Sequence, residues 1–340
     1  MTGKERLLAA LNKQIPDRVP TFEWFIDSEV GRVLTGSGEI LDIVDKLDID
    51  GVNIRADYSV LTKDAGVFTD EWGFEKKWTA EAVPIITTHP LADLRDQKNY
   101  SFPDPDSMNR FKSIELAMER FGENKGIILN VRDGFSDMRD LLGYEQSLMG
   151  LLLEPEAFTS LLNRVVDYNL MLAKVVKERY GLEIIATTDD IATNSGLLMN
   201  PDLYHELIAP TFKRAVSGFK DMGYKHIKHC DGNIDAVLDF WIECGIDAID
   251  PVDPAAGYSL KGFREKLGEG ICLKGNVDCR GALCSGTIDE VVDEVKICLE
   301  TGRNGGLIIS SSNTIHSGVI PENYQAMLDT IKKFQLSAGT

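Results

Sequence analysis

The sequence predicts a single (β/α)8 barrel of TIM type spanning residues 1–340. Two observations carry this. Eight short apolar, β-branched runs are each bounded by Gly or polar residues, the pattern of strands buried on both faces of a parallel sheet. Long amphipathic segments lie between them, and a sustained strand-then-helix rhythm favours a closed barrel over an open sheet. With 340 residues, 43% of them hydrophobic and 26% charged, the chain is long enough for such a core and leaves little for a disordered tail.

In chain order, Thr2 and Glu5 form a capping-box pattern ahead of Leu7, Leu8 and Leu11, which predicts an N-terminal helix ending before Pro16. RVPTFEWF is the first strand and DGVNI the second. Residues 56–115 are too long for one crossover; VFTDEWGFEKKW and AVPIITTHP predict a hairpin inserted after the second strand, near the barrel mouth. KGIILNVR, LEIIATTDD, YKHIKHC, GIDAIDPVD, GICLKGNVD and GGLIISSS then supply strands three to eight. The intervening SIELAMERF, EAFTSLLNRVVDYNLMLAKVVKERY, PDLYHELIAPTFKRAVSGFKDMG and TIDEVVDEVKICLETG place apolar residues at helical spacing.

Charge and composition exclude several function classes. Asp plus Glu number 54 against 36 Lys plus Arg, and the net charge of −18 opposes nucleic acid and anionic membrane surfaces. No window reaches the ~18 apolar residues of a membrane span, and the first residues lack the apolar core of a cleavable signal. Six scattered cysteines, with no C-x-x-C pair, fit a reducing cytoplasm better than a disulfide scaffold or a sulfur-rich metal site. No Walker loop, dinucleotide fingerprint or nucleophile elbow is present.

In a barrel, the polar residues at the C-terminal strand ends are the candidates for chemistry. These are Trp24 and Asp27, Arg55 and Asp57, Arg132 and Asp133, Asp189 and Asp190, His229 with Asp231, Asp250, Asn276 with Asp278, and finally Ser311, Asn313 and His316. His229 and Asp231 stand at i and i+2, so both side chains project to one side, with Cys230 turned away; the alternative is that Asp231 only opens a turn with Gly232. Adjacent Asp189 and Asp190 point in opposite directions, so one faces the axis while the other caps the next helix. His229, Asp231, Asp189 and Asp190 are therefore the catalytic candidates. Trp24, Arg55, Arg132, Asn276, Asn313 and His316 are candidates for substrate binding, and Phe22, Trp72 and Phe74 for an apolar pocket wall.

Several segments together resemble the uroporphyrinogen decarboxylase superfamily. They are ERLLAALNKQIPDRVP, FPDPDS, TDDIATNSGLLMNPDLYHELIAPTFKR, HCDGNIDAVLDFWIECGIDAIDPVD, LKGNVD and IPENYQAM, in order along nearly the whole chain. The resemblance implies one barrel and two activities to choose between. True decarboxylases carry an Arg-rich porphyrinogen-binding signature where this chain reads TFEWFIDSEVGR, so it is similar instead to the corrinoid-dependent methyltransferase branch. That branch implies a methyl group moved between a small methylated ether, amine or thiol and a corrinoid carried by a separate protein.

Thiol-directed members hold zinc with His-x-Cys and a later Cys. Here His229 keeps the first position, Asp231 replaces the second, and IISSSNTIHSG offers no third. The resemblance thus leaves open a zinc site of His229 and Asp231 with His316 or Asp189. A decarboxylase of another small carboxylated substrate and a non-catalytic corrinoid- or tetrapyrrole-binding protein are the rival readings. A homodimer is a further expectation.

Overall fold

A computed structural model describes residues 1–64, 66–79, 84–91, 93–334 and 336. The first barrel strand, β1 (Gly51–Ile54), is followed by an antiparallel sheet of β2 (Val60–Asp64), β3 (Val67–Asp70), β4 (Glu75–Lys77) and β5 (Ile85–Thr88). The barrel resumes with β6 (Gly126–Val131) and β7 (Ile184–Thr188); a small ribbon of β8 (Ala192–Thr193) and β9 (Gly196–Leu197) follows. Then come β10 (Lys225–His229), β11 (Ala248–Asp250), β12 (Cys272–Val277) and β13 (Leu307–Ser311). The parallel sheet runs β1-β6-β7-β10-β11-β12-β13, and every residue of β6, β12 and β13 is buried, as the continuous apolar runs require.

The expected first strand is the eighth stave, but not a regular one. Ile309 donates its amide to Pro20 O (2.9 Å) and Asp50 its amide to Thr21 O (3.0 Å), so residues 20–21 span the gap between β13 and β1. Thr21 and Ile26 make isolated parallel bridges to Ile309 and Ile315. A continuous ladder is blocked by local chemistry. Pro20 has no N–H; the Thr21 amide goes to the Asp50 carboxylate (3.0 Å), and the Ser311 amide goes to the Glu23 carboxylate (3.0 Å).

Gly3–Leu11 is the N-terminal helix, with the Thr2/Glu5 capping box formed. Its Leu7 fills the barrel bottom so tightly that a Cβ on Gly126 would lie 2.5 Å from Leu7 Cδ1. The insertion differs from the expected hairpin: it is a four-stranded meander, and Ala82 and Val83 of the expected second arm lie outside the described residues. Buried Arg110 ties it down through Glu71 (3.0 Å) and the Asp57 and Asp104 carbonyls, while Trp72 packs edge-on against Tyr168 (centroids 4.7 Å apart). The helix predicted from EAFTSLLNRVVDYNLMLAKVVKERY forms as Pro155–Tyr180. The next is interrupted by a π-helical turn at Tyr204–Ile208, just ahead of Pro210, whose missing N–H breaks the regular ladder. Among the described residues no helix is long and apolar enough to cross a membrane.

Candidate functional site

His229 ends β10 in register with Asp250 at the end of β11, so the two side chains rise from neighbouring strands on the same face. Asp250 Oδ2 meets His229 Nδ1 at 2.5 Å and accepts Trp24 Nε1–H at 2.5 Å. Asp250 Oδ1 accepts Lys274 Nζ at 2.7 Å, and this fully buried lysine also reaches Ser310 Oγ (3.0 Å) beneath the rings of Phe22 and Trp24. Burial acts to raise the Asp250 pKa, but the Lys274 charge and the His229 contact outweigh it and hold the carboxyl below its ordinary value. An ionised Asp250 fixes the proton of His229 on Nδ1, and Trp24 packs edge-on over the imidazole at 5.1 Å.

Nε2 of His229 is thereby turned to the mouth, where Asp190 Oδ1 and Asp231 Oδ1 each stand 3.7 Å away. One donor atom from each of Asp190, His229 and Asp231 fits within 4.8 Å, a spacing suited to one cation. Asn313 Nδ2 holds Asp231 Oδ2 at 2.5 Å, and the Asp231 amide donates to Asp190 Oδ1 at 3.1 Å. Asp231 Oδ1 is left buried with no hydrogen-bond partner among the described residues. Burial pushes the Asp231 carboxyl up to about 6 against the pull of His229. Burial likewise opposes charge on His229, but Asp250, with Asp231 and Asp190 behind it, raises the imidazole above its ordinary value.

The remaining sequence candidates divide. Asp189 does not face the mouth: its oxygens take the Phe135 amide (2.6 Å) and the Ser136 amide, capping the helix Phe135–Leu142 of the preceding unit rather than the next one. Asn276 donates to Val252 O (2.9 Å) and accepts Cys298 Sγ–H from an outer helix, so it too points away. His316 Nε2 lies 3.0 Å from Cys279 O and 3.6 Å from Cys284 Sγ, outside the Asp190, His229 and Asp231 group.

Arg55 and Arg132 meet instead in a cavity of about 120 Å³ between β1, β6 and the insertion, which Trp72 and Phe74 also line. Phe22 is buried inside the barrel and does not line it.

Sequence reasoning missed Lys274 and underweighted Asp250. Lys274 sits in an otherwise apolar run, and a lone charge inside a buried strand was the signal available. Asp250 stood among the strand ends, but only register pairs it with His229.

The sequence pattern described as Uroporphyrinogen decarboxylase (URO-D) matches residues 40–334. Methylcobamide:CoM methyltransferase MtbA of Methanosarcina mazei is 25% identical, with 98% of each chain covered. Methylcobamide:CoM methyltransferase MtaA of Methanosarcina barkeri is 24% identical over 88% of this chain and 90% of that one. A solved methyltransferase from Methanosarcina mazei superposes with a TM-score of 0.79 at 21% identity, covering 98% and 99% of the two chains; it shows the same fold.

Proposed function

The chain belongs to the uroporphyrinogen decarboxylase family, and from that premise we propose that it is a methyltransferase moving a methyl group between a small substrate and the corrinoid of a separate protein. Its similarity to methylcobamide:CoM methyltransferases over 98% of both chains supports that reaction class. The observation that carries the site assignment is the convergence of His229 Nε2, Asp190 and Asp231 on one point of the mouth.

Methyl transfer from oxygen, nitrogen or sulfur changes charge on the heteroatom that loses or gains the methyl. The site must therefore stabilise that atom with a proton or a Lewis acid. Asp190, His229 and Asp231 are a nitrogen-and-oxygen donor set, and the buried, unpartnered Asp231 Oδ1 is the mark of a carboxylate built for a cation. They would hold a zinc-like divalent ion, which would supply Lewis-acid polarisation of the heteroatom. The chain's own residues orient that set. Asp250 selects the tautomer that frees Nε2, Lys274 keeps Asp250 ionised, and Asn313 occupies one oxygen of Asp231 so that the other turns inward.

The reading is tested by metal analysis and by methyl transfer to cob(I)alamin, followed by its absorbance, across a panel of methyl ethers, methylamines and thioethers. Wild-type protein should carry about one divalent ion per chain and methylate the corrinoid. His229→Ala should lose the ion and at least about a hundredfold in rate. No transfer from any member of the panel, nor from methylcobalamin to a thiol, would overturn the proposal.

A further inference from the structure

Beyond the barrel rim, the chain leaving β7 stays stitched to the chain leaving β10. The Asp189 amide donates to His229 O (3.3 Å), the Ile191 amide to Cys230 Sγ (3.5 Å), the Asp231 amide to Asp190 Oδ1 (3.1 Å) and the Asn233 amide to Thr193 O (2.8 Å). Residues 189–193 lead into the β8–β9 ribbon, and residues 229–233 carry the strand end with His229. Asp190 lies in the first segment and Asp231 in the second. The distance between the segments therefore sets the span across which these two carboxylates face each other.

Gly232 is a point of very close approach. Its φ of +88° lies in the left-handed region that side chains disfavour, and a Cβ added there would stand 2.6 Å from Thr193 O and 2.7 Å from Thr193 C. Both are backbone atoms, so no side-chain rotation relieves the collision. Any larger residue at 232 must push the ribbon and the Asp231 turn apart.

A second contact grips the same turn from the β11 side. The Gly232 amide donates to Asp253 Oδ2 (3.0 Å), and Asp253 is buried, its other oxygen taking the Ala255 amide (2.8 Å) and Arg280 Nη2 (3.2 Å). Asp253 is not among the donors that converge with His229. Its part is to hold the chain that carries one of them. Three successive amides, at 231, 232 and 233, are thus bound by three different segments, through Asp190, Asp253 and Thr193. Partners of this kind, one step removed from an ion, orient the groups that ligate it, and removing one costs about 10- to 100-fold in affinity.

We propose that Gly232 and Asp253 are positioning residues that fix the span between Asp190 and Asp231 and so make the site selective for a small divalent ion over a larger one. The inference rests on the reading of Asp190, His229 and Asp231 as metal ligands and adds the size of ion they accept. When the segments part, a small ion loses a donor that a larger ion still reaches.

The test is titration of the full chain, stripped of metal, with zinc and with the larger cadmium ion, each in competition with a chelator. Wild-type protein is expected to prefer zinc. Gly232→Ala should weaken zinc by about 10- to 100-fold and cadmium by less than about threefold. Asp253→Ala, which introduces no backbone strain, should weaken zinc by about tenfold, and Asp253→Asn, which keeps an acceptor oxygen, should recover most of that loss. Gly181→Ala is the control for strain: Gly181 has φ +67° with nothing within 4 Å of an added Cβ, and it precedes β7 at the end of the barrel away from the mouth, so both affinities should stay as in wild type. A wild-type preference for cadmium, zinc affinity unchanged in Gly232→Ala and Asp253→Ala, zinc and cadmium weakened equally, or Gly181→Ala matching Gly232→Ala would overturn the inference and leave the ligand set standing. Wild-type protein that binds neither ion would overturn the ligand set, and the inference with it.

Discussion

Two neighbouring regions of the barrel mouth, around His229 and around Arg55, are built from the same residue types and partnered differently. Around His229, the buried groups are satisfied except for acceptors: Nε2 and the unpartnered Asp231 Oδ1. Around Arg55, Arg132 is engaged by Asp137 and Asp140, while Asn53 Oδ1, Asn130 Nδ2 and Trp72 Nε1 are buried without partners among the described residues. The difference teaches that a site's ligand is read from which valences the fold leaves open rather than from its count of acidic or basic residues. Both regions hold Asp and a cation, yet among the described residues only the one around His229 brings three donor atoms within reach of one cation.

The largest break in this contrast should come from Lys274→Met. It leaves Asp250 buried without its cation, and removing one member of a buried pair costs about 3–5 kcal/mol, whereas Arg55→Leu breaks no ion pair and should stay within about 0.5 kcal/mol of wild type. Urea unfolding of the two variants checks this; a Lys274→Met loss below about 1 kcal/mol would show that the acceptor side does not depend on its buried lysine.

A smaller effect concerns Glu23, which accepts from Ser311 beneath the same side. Burial, only partly offset by Lys274 and Ser311, pushes its carboxyl up from 4.5 to about 7. Between those values the folded chain holds a proton that the unfolded chain has released, so this group's contribution to stability falls as pH rises through the window. Relative to Glu23→Gln, wild type should lose up to about 3 kcal/mol between pH 4.5 and 7.5. Taking the difference between the two proteins cancels groups of opposite sign such as His226, whose burial lowers its pKa to about 3. A difference that does not change with pH would refute the assignment.

The smallest effect separates two neighbours in the chain. Asp189→Asn loses charge-assisted bonds to the Phe135 and Ser136 amides and should cost about 1–3 kcal/mol with the metal content of wild type unchanged. Asp190→Asn, half-exposed at the mouth, should cost under about 0.5 kcal/mol and release metal. Thermal unfolding with metal analysis of each distinguishes them, and reversed results would exchange their roles.

Much of this was present in the order of residues. Eight apolar runs, the Thr2/Glu5 cap, the Pro155–Tyr180 helix and the placement of His229 and Asp231 at one strand end all follow from local periodicity, because periods of 2 and 3.6 decide which face a side chain takes. The same alternation required Asp189 and Asp190 to diverge, though not that Asp189 would reach back to the preceding helix. Periodicity does not say which residue stands opposite across a ladder.

The pairing of His229 with Asp250, the burial of Lys274 against it, and the replacement of a first-strand ladder by Pro20, Thr21 and Glu23 contacts depend on register between segments far apart in the chain. So does the meeting of Arg55, Trp72 and Asn130 in one cavity. Sequence determined the kinds of group at the rim. Tertiary structure decided which of them found partners, because a hydrogen bond acts over about 3 Å and only the closed barrel brings those atoms that close.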